Sequence, residues 1–446
     1  MNIYKFTKSK DTHKEYKYKI LVYPNITFQK DLEKDSYVVV LGNIIRELNK
    51  VRNDIHWTIL SPGGDIQSLR FENTLQLPIK FPPYPNAMRL HFNQIDIIKQ
   101  IDFRKNDYDI VYSHLPEHTL QLKNVFLNET NIEPKFIGYT HWTEFPEITN
   151  YKETVMDINF LGLLAMDKCG INTQSQKNLI LKNAKTHFND DVVNRLDTIL
   201  EPQYLGWEIP NYEKQNTDKK IIVYNHRPHT YKNYPWFLKQ MDELWGKRQD
   251  FEVWVPLAES KEREYMTIDK YDRKGYFSKL SSCYIGVCAK QKYGGWAVSA
   301  TDGMSVGVPY LFSDDDYYHE LVGDKGLYYR ESSFNNLLSS LLDDETMRNT
   351  WSQKALKRFE QGKWEKAIIP FNNMINDTIK NLPMLKNDTE TYKKVVDFIH
   401  RKKSVTKSDI LNMLNWGVRI SFSGYRNRLR NEPTIRFTKN RYEVIE

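Results

Sequence analysis

Two basic residues five positions apart stand where this chain could bind phosphate. Arg227 and Lys232 lie in the segment YNHRPHTYKN (224–233), which follows an apolar run and precedes a stretch with helical spacing. In open α/β sheets, ligands bind where strands end and helices begin. Two cations at such a place, with the N–H groups of a helix N-terminus, could neutralise a diphosphate. The alternative is that both are ordinary solvated loop residues.

A second segment, residues 293–322, supports the phosphate interpretation. It approaches Asp302 through a glycine-rich stretch, and Gly303, Met304 and Ser305 follow. We expect a helix to begin at 303, so that the amides of these three residues meet phosphate while Asp302 accepts hydrogen bonds from two ribose hydroxyls. Alternatively, Asp302 is only an N-cap, and GVP (307–309) is an ordinary turn.

The elements that must position these residues alternate between short apolar runs and longer mixed stretches, which indicates parallel sheets covered by helices. A polar linker over 211–219 separates two such α/β units, and residues 61–85, with LSPGGD and FPPYP, predict a loop. Strands are predicted at KILVY (19–23), HWTIL (56–60), DIVYSH (109–114), KFIGYTH (135–141), IIVYN (221–225), EVWVP (252–256), CYIGVC (283–288) and YLFSD (310–314).

The motifs of the second half resemble those of retaining glycosyltransferases with the GT-B fold, specifically the large fourth family of nucleotide-sugar enzymes. Arg227 and Lys232 match the Arg and Lys of that family's G-R-x-x-x-x-K-G at the same spacing. Residues 294–309 resemble E-G-F-G-L-x-x-x-E-A-M-A-x-G-x-P, and SDDDYYHELV (313–322) resembles S-D-x-G-G-x-P-E-x-V. The first Glu of the family's pair falls at Gly294 and the second at Asp302, a departure that suits a different sugar or acceptor.

The resemblance implies two Rossmann-like domains, and the change of pattern after Pro383 indicates an added module. Residues 1–210 would be the acceptor domain and 211–383 the donor domain, with 364–380 crossing back to the first. Residues 384–446 would form the added module.

The resemblance also implies roles for single residues. Arg227 and Lys232 would act in catalysis through the diphosphate, and His141 in YTHW would orient the donor sugar, with His114 a weaker candidate. Tyr276 would join Asp302 and residues 303–305 in donor binding.

The resemblance implies no cofactor beyond the nucleotide sugar and no obligatory metal. The run Ser313-Asp314-Asp315-Asp316 admits a metal interpretation, but three adjacent acids cannot all face one ion.

Net charge is concentrated at the C-terminal end. The chain carries +7, from 64 basic and 57 acidic residues, and residues 384–446 hold 14 basic against seven acidic ones, so the rest is neutral. Helices at 389–400, 407–415 and 420–430 and a hairpin at 434–445 that turns at Lys439-Asn440 predict a winged helix-turn-helix. Such a module binds DNA or docks a protein, and a solvated tail is the plain alternative. The predicted DNA-binding residues are Lys407, Arg419, Tyr425, Arg426, Arg428, Arg430, Arg436 and Lys439.

Composition excludes several classes of protein. Hydrophobic residues at 40% and charged residues at 27% are typical of globular chains. Cys169, Cys283 and Cys288 are odd in number, which argues against a disulfide framework and suits a reducing compartment. We find no signal-peptide pattern at the N-terminus and no run of about 18 apolar residues. The expectation is therefore a cytoplasmic protein (host cytoplasm if the source is viral) without membrane insertion.

Together these features predict an enzyme that moves a hexosyl group, with retention, from UDP-glucose or another nucleoside-diphosphate sugar to a hydroxymethylated pyrimidine in DNA. At the level of fold it is similar to phage DNA α-glucosyltransferases. Two alternatives stay open. One is a glycosyltransferase for a polysaccharide, teichoic acid or protein, with the tail as a docking module. The other is a DNA-binding regulator that senses a nucleotide sugar.

Overall fold

The computed structural model describes most of the chain, and contacts between residues divide it into two units. The described residues are 16–25, 36–62, 73–79, 91–101, 103, 108–130, 134–141, 153–207, 211–292, 295–382, 389–413, 429, 432–438 and 441–445. The first unit comprises Met1–Gly170, Phe188–Glu201 and Pro370–Glu446, and the second comprises Ile171–His187 and Pro202–Ile369.

The first unit is built on a seven-stranded sheet with the order β3-β2-β1-β4-β5-β6-β7. The register shows parallel pairing of β1 with β2 and β4, of β2 with β3, and of β4 with β5. Ile20, Leu21 and Val22 of β1 are fully buried, as expected for a strand covered on both faces. The strands are β1 (Tyr18–Tyr23), β2 (Ile55–Pro62), β3 (Thr74–Ile79), β4 (Ile110–Ser113), β5 (Lys135–Thr140), β6 (Lys168–Ile171) and β7 (Leu200–Pro202).

Helices connect and cover these strands. Leu41, Ile45 and Leu48 recur at helical spacing in the first helix and are fully buried, so the apolar pattern alone accounts for the face that packs on the sheet. The helices of the first unit are α1 (Ser36–Val51), α2 (Gln94–Gln100), α3 (Pro116–Thr130), α4 (Glu153–Leu164) and α6 (Asp190–Ile199), and α5 (Gln174–His187) lies in the second unit.

The predicted loop over 61–85 is wrong in part, because Thr74–Ile79 forms β3. Leu77 and Ile79 are buried two residues apart, and Pro78 stands between them. Because β3 is the edge strand of the sheet, Pro78 costs no ladder hydrogen bond toward a further strand. Pro78 and the turn residues near this strand favoured the prediction of a loop.

The second unit is built on a six-stranded sheet with the order β10-β9-β8-β11-β12-β13, and every neighbouring pair is parallel. The strands are β8 (Lys220–Val223), β9 (Phe251–Trp254), β10 (Met266–Thr267), β11 (Ile285–Cys288), β12 (Tyr310–Ser313) and β13 (Leu327–Tyr329). All predicted strands of this half are confirmed within a few residues at their ends.

The helices of this half follow the same alternation. Asp272 caps α8 by accepting the Gly275 N–H at 2.7 Å, and Pro235 occupies the first turn of α7. The helices are α7 (Tyr234–Trp245), α8 (Arg273–Ser281), α9 (Val298–Ser305), α10 (Asp316–Val322), α11 (Phe334–Asp343), α12 (Glu345–Gly362) and α13 (Trp364–Lys380). A 3₁₀ turn covers Thr230–Lys232.

Helix α13 returns the chain to the first unit at Pro370. Phe371 packs edge-on against Tyr112 of β4 with ring centroids 5.1 Å apart, and Asn376 accepts a hydrogen bond from Arg52 at 2.6 Å.

The C-terminal residues form a small group of elements around their own core. Their strands make an antiparallel sheet of order β14-β16-β15. Thr406 caps the second helix in a reciprocal box with Asp409, and Ser404 lies in the strand before it. The predicted third helix at 420–430 lies outside the described residues except for the buried Leu429. The elements are α14 (Thr389–Lys402), β14 (Ser404–Thr406), α15 (Lys407–Met413), β15 (Ile435–Thr438) and β16 (Arg441–Val444).

Among the described helices, none combines the length and the apolar character needed to cross a bilayer.

Candidate functional site

Arg227 and Lys232 lie at the point where the second sheet reverses its strand order. From β8 the chain adds β9 and β10 on one side, and then β11, β12 and β13 on the other. The carboxyl ends of β8 and β11 therefore border a topological switch point, which is where open parallel sheets bind ligands. Arg227 lies four residues after the end of β8, and Lys232 ends the 3₁₀ turn that follows.

Lys232 is held by the segment that follows β11. Its ammonium donates to Oε1 of Gln291, and Gln291 is itself fixed because its side-chain amide donates to the Tyr318 hydroxyl at 2.9 Å. Burial, together with the nearby charge of Arg227, lowers the pKa of Lys232 to about 8. Because a site removed from water screens charges less, an anion placed beside the protonated Lys232 would be attracted more strongly than one beside a solvated lysine.

Arg227 is exposed, in contrast to Lys232. Its carbonyl accepts the His229 N–H at 2.8 Å, which fixes the backbone of the loop. Within the part of the chain that the structure describes, its guanidinium forms no ion pair or hydrogen bond. A cation held in place by its backbone, with its fork of donors uncommitted, is suited to bidentate binding of phosphate.

His226, which the sequence analysis did not single out, ties this loop to α9. Its ring bonds to the Ser299 hydroxyl at 2.8 Å and contacts the Cys288 sulfur at 3.3 Å. Burial and the charge of Lys232 lower the pKa of His226 to about 3, so the ring is neutral at physiological pH. Its position next to Arg227 in the motif was the available signal.

A hydrogen-bonded network connects the same loop to Asp302. The Asn225 side chain donates to the Tyr276 hydroxyl at 2.8 Å, and that hydroxyl lies 3.5 Å from the carboxylate of Asp302. Tyr310 donates to Asn225 at 3.1 Å from the other side. The structure thus brings Tyr276 and Asp302 together, on the α9 side of the loop that carries Arg227.

The expected helix start at 303 is wrong, because α9 begins at Val298. Gly303, Met304 and Ser305 lie in its last turns and are buried. A Cβ on Gly303 would lie 2.2 Å from the Tyr310 ring, so this glycine serves close packing. The N–H groups that lack an intrahelical acceptor are those of the first turn, at Val298 and Ser299. The helix therefore begins five residues earlier than the sequence pattern indicated.

The acidic run after β12 directs its side chains to separate partners. Asp314 bonds to the His319 ring at 2.8 Å, and Asp315 lies 3.5 Å from the ammonium of Lys290. These two acids, with Asn233 and Arg330, line a cavity of about 280 Å³ at the ends of β12 and β13. Lys290 and Glu331 line the same cavity, so it is bordered by the two cations Lys290 and Arg330 and by three acids.

His141 and His114 share a small cavity in the first unit. It lies at the carboxyl ends of β1, β4 and β5, and the order β2-β1-β4 makes this the switch point of the first sheet. The His141 ring stands edge-on to Tyr37, with centroids 4.7 Å apart. The residues that line the cavity are Asn25, Tyr37, His114, Leu115, Pro116, Glu117, Thr140, His141 and Asn159.

Nδ1 of His114 and Oδ1 of Asn159 are buried at this cavity and have no hydrogen-bond partner within the described ranges. His114 is 3% exposed and Asn159 1% exposed. Burial, with the neighbouring His141, lowers the pKa of His114 to about 3, and its Nε2 is bonded to the Tyr112 hydroxyl at 2.8 Å. Buried polar atoms are normally satisfied, so this pair is suited to an uncharged polar group or a water molecule.

Of the predicted DNA-binding residues, the structure places two. Lys407 begins α15, and Arg436 lies exposed on β15 with its guanidinium 3.5 Å from Glu443. The others lie outside the described residues: Arg419, Tyr425, Arg426, Arg428, Arg430 and Lys439.

Comparison with solved structures identifies the fold. The sucrose-phosphate synthase of Thermosynechococcus elongatus superposes with a TM-score of 0.60 and 11% identity, over 81% of this chain and 99% of that one. Anabaena HepE, in complex with UDP-glucose, gives a TM-score of 0.59 and 11% identity, over 82% and 100%. The UDP-forming trehalose-phosphate synthase of Burkholderia vietnamiensis gives 0.57 and 9%, over 82% and 98%.

No family model matches the sequence, and no curated protein matches it either. The similarity therefore concerns structure. Two parallel sheets, each wrapped by helices and each with a switch point at its carboxyl edge, give this chain the GT-B fold of these nucleotide-sugar glycosyltransferases.

Proposed function

We propose that this chain is a glycosyltransferase that transfers a hexosyl group from a nucleoside-diphosphate sugar, UDP-glucose in the first instance, to a hydroxyl group. The observation that carries the proposal is the pair of cations at the switch point of a GT-B sheet. Arg227 offers an uncommitted guanidinium and Lys232 a buried ammonium, beside a tyrosine and a carboxylate suited to a ribose. The UDP-glucose complex of Anabaena HepE, which has the same fold, supports this choice of donor.

In the proposed reaction, Arg227 and Lys232 bind the diphosphate and stabilise the charge that develops as the glycosidic bond breaks. The Asp302 carboxylate accepts hydrogen bonds from the ribose, and the first-turn amides of α9 supplement the cations. His226, neutral and bonded to Ser299, keeps the loop of Arg227 against that helix.

The first unit supplies uncharged polar groups in this proposal. His141 orients the sugar, and the cavity of His114 and Asn159 takes up a hydroxyl-bearing group. No protein base is assigned. The acceptor oxygen bonds to the anomeric carbon, the bond from that carbon to the diphosphate breaks, and the acceptor proton passes to the departing phosphate oxygen on the same face of the sugar, with retention.

For the acceptor we propose a hydroxymethylated pyrimidine in DNA, which would be flipped out of the duplex to react. Support comes from residues 384–446, which carry the whole net charge of +7. It also comes from their described order of helix, strand, helix and hairpin, with β14 paired to β16, which is compatible with the predicted winged helix-turn-helix.

The test is incubation of the full chain with radiolabelled UDP-glucose and DNA that contains hydroxymethylpyrimidines, beside unmodified DNA of the same sequence. We expect label in the modified DNA only, and none with an Arg227→Ala variant. Hydrolysis of UDP-glucose without transfer to DNA would support the glycosyltransferase activity and contradict the DNA acceptor. Polysaccharide and protein acceptors would then be tested. DNA binding with neither hydrolysis nor transfer would favour the regulator.

A further inference from the structure

Two arginines of the C-terminal hairpin, among the residues that the structure describes, have partners within the protein. Arg441 donates through Nε to the Ser404 hydroxyl at 2.7 Å and through a second nitrogen to the Ser404 carbonyl at 3.1 Å. Arg436 lies 3.5 Å from the carboxylate of Glu443. These two arginines therefore stabilise the small sheet, and an external anion must be sought at other cations.

Three consecutive cations at the end of α14 are in a different situation. Arg401 and Lys402 form its last turn and Lys403 follows it, and all three side chains are exposed. Among the described residues, none of them forms an ion pair. Two carboxylates lie near these cations in the chain. Exposed Asp397 stands one turn before Arg401 on α14, and Asp409 is engaged by the amide and the hydroxyl of Thr406, each at 2.8 Å. The surface formed by Arg401, Lys402 and Lys403, here called the α14 basic surface, thus carries three exposed cations that form no ion pair within the described ranges. The hydrogen bonds from Thr406 lower the pKa of Asp409, and the charge of Lys402 does reach that carboxyl and contributes to the lowering.

Stabilisation of the helix end alone accounts poorly for Lys403. Cations near a helix C-terminus interact favourably with its dipole, which would explain Arg401 and Lys402. Lys403, however, has a φ of +63°, the left-handed conformation that glycine and asparagine adopt at far lower cost. Its carbonyl accepts the Val444 N–H at 3.1 Å, so the backbone is fixed in this conformation. A lysine at this position costs more backbone strain than glycine or asparagine would, and it adds a positive charge next to those of Arg401 and Lys402.

We propose that the α14 basic surface binds the phosphate backbone of nucleic acid. The proposal rests on the DNA-modifying function above and adds to it a contact surface outside the predicted third helix and hairpin turn. Three adjacent, exposed cations that form no ion pair within the described ranges suit a polymer that presents a phosphate at each nucleotide, and they carry no sequence information of their own.

Salt titrations of DNA binding by the full chain test the proposal, with wild type compared to Lys403→Gly. Each lost phosphate contact reduces the steepness of log Kobs against log[salt] by about 0.9. Relative to 1 M salt, Lys403→Gly should therefore weaken binding at 0.1 M salt by roughly eightfold. The same variant should leave the melting temperature unchanged or raised, since glycine relieves the positive φ. Lys403→Asn, which also tolerates this conformation, provides a second variant. The triple variant Arg401→Gln/Lys402→Gln/Lys403→Gly should lower the slope by about 2.7.

Lys393→Gln is the matched control, since it removes one exposed charge from the other end of the same helix. An equal loss of slope in Lys393→Gln would reduce the effect to net charge and overturn the proposal, as would unchanged slopes in the triple variant. A wild-type chain that does not bind DNA would instead refute the DNA acceptor itself. If the triple variant lost binding to phosphatidylserine vesicles and kept its DNA affinity, the surface would belong to a membrane.

Discussion

The carboxyl edges of the two sheets have the same topology and different electrostatics. The second unit places the cations Arg227 and Lys232 at its switch point. The first unit places there a cavity lined by Glu117 and the neutral His114, and no Lys or Arg is among the residues that line it. One fold thus presents an edge with two cations and an edge whose cavity is lined by histidines and a carboxyl group, and the difference resides in a few residues after equivalent strands.

Removing a cation from the second edge should have the largest effect. Arg227→Ala and Lys232→Ala should each lower turnover by about 10²–10³, because a donor to a developing anion is lost, and should leave DNA affinity nearly intact. Steady-state donor hydrolysis is the measurement. Lys290→Ala serves as control, since Lys290 is 64% exposed at the same edge and lies 3.5 Å from Asp315. Near-wild-type rates in both Ala variants would show that the two cations of the second edge do not bind the donor.

Titration of Lys232 should make the second edge sensitive to pH. Its pKa is lowered to about 8, so the ammonium is present below pH 8 and is lost as pH rises through that value. Donor affinity at pH 9 should be about tenfold lower than at pH 7, by the ratio of protonated fractions. Calorimetry with UDP measures it, and Lys232→Arg should flatten the profile. His114 of the first edge should not contribute between pH 7 and 9, because its pKa is lowered to about 3. A profile that stayed steep in Lys232→Arg would assign the titration elsewhere.

The first edge should respond to loss of hydrogen bonding and ignore salt. Asn159→Ala and His114→Leu should each lower kcat/KM for transfer by about tenfold, the usual cost of a hydrogen bond to a buried polar group. UDP affinity should stay at the wild-type value in both variants. Kinetics at two salt concentrations test this, with melting curves as control for folding. A fall in UDP affinity in either variant would contradict the division of roles.

Asp302→Asn should have a smaller effect, confined to the donor. The substitution preserves shape and removes a charged acceptor beside the Tyr276 hydroxyl, so UDP should bind about fivefold more weakly. Turnover at saturating donor should change little. Unchanged affinity for UDP would leave Asp302 with a structural role only.

The smallest effect on function is expected from Gly303→Ala, because Gly303 lies in the last turns of α9, away from its first-turn amides. The added Cβ meets the Tyr310 ring, so stability should fall by about 1–3 kcal/mol, measured by urea unfolding. Donor affinity of the folded protein should be retained. Gly295→Ala is the control, because its Cβ would have no neighbour within 4 Å. A selective loss of donor affinity in Gly303→Ala would support the original prediction that residue 303 contacts the phosphate.

The sequence predicted most of the framework because buried parallel strands are short apolar runs. IIVYN and CYIGVC gave β8 and β11, and with them the place of Arg227. It missed β3, since Pro78 is tolerated only because that strand lies at the edge of its sheet. It placed the start of α9 five residues late, because the glycines before Asp302 indicate flexibility without fixing the first helical residue.

The first-unit cavity was predicted only through its histidines. Asn159 stands in the apolar stretch INFLGLL, and a polar residue within a buried helical face was a signal that could have been read. Its unpaired oxygen depends on the packing of α4 against its neighbours, which spacing along the chain does not contain. His226 was missed for the same reason, since its partners Ser299 and Cys288 are distant in sequence.

The path of the chain limits how this protein can be recombined with others. The chain passes between the two units after Gly170, His187, Glu201 and Ile369, so neither unit is one contiguous piece of sequence. Glu320 of α10 accepts the Gln174 N–H at 2.7 Å and also bonds to Ser175, capping a helix encoded before the linker. A chimera that exchanged residues 211–383 alone would separate that carboxylate from the helix it caps. Successful exchange of donor specificity should therefore require α5 to travel with the second half.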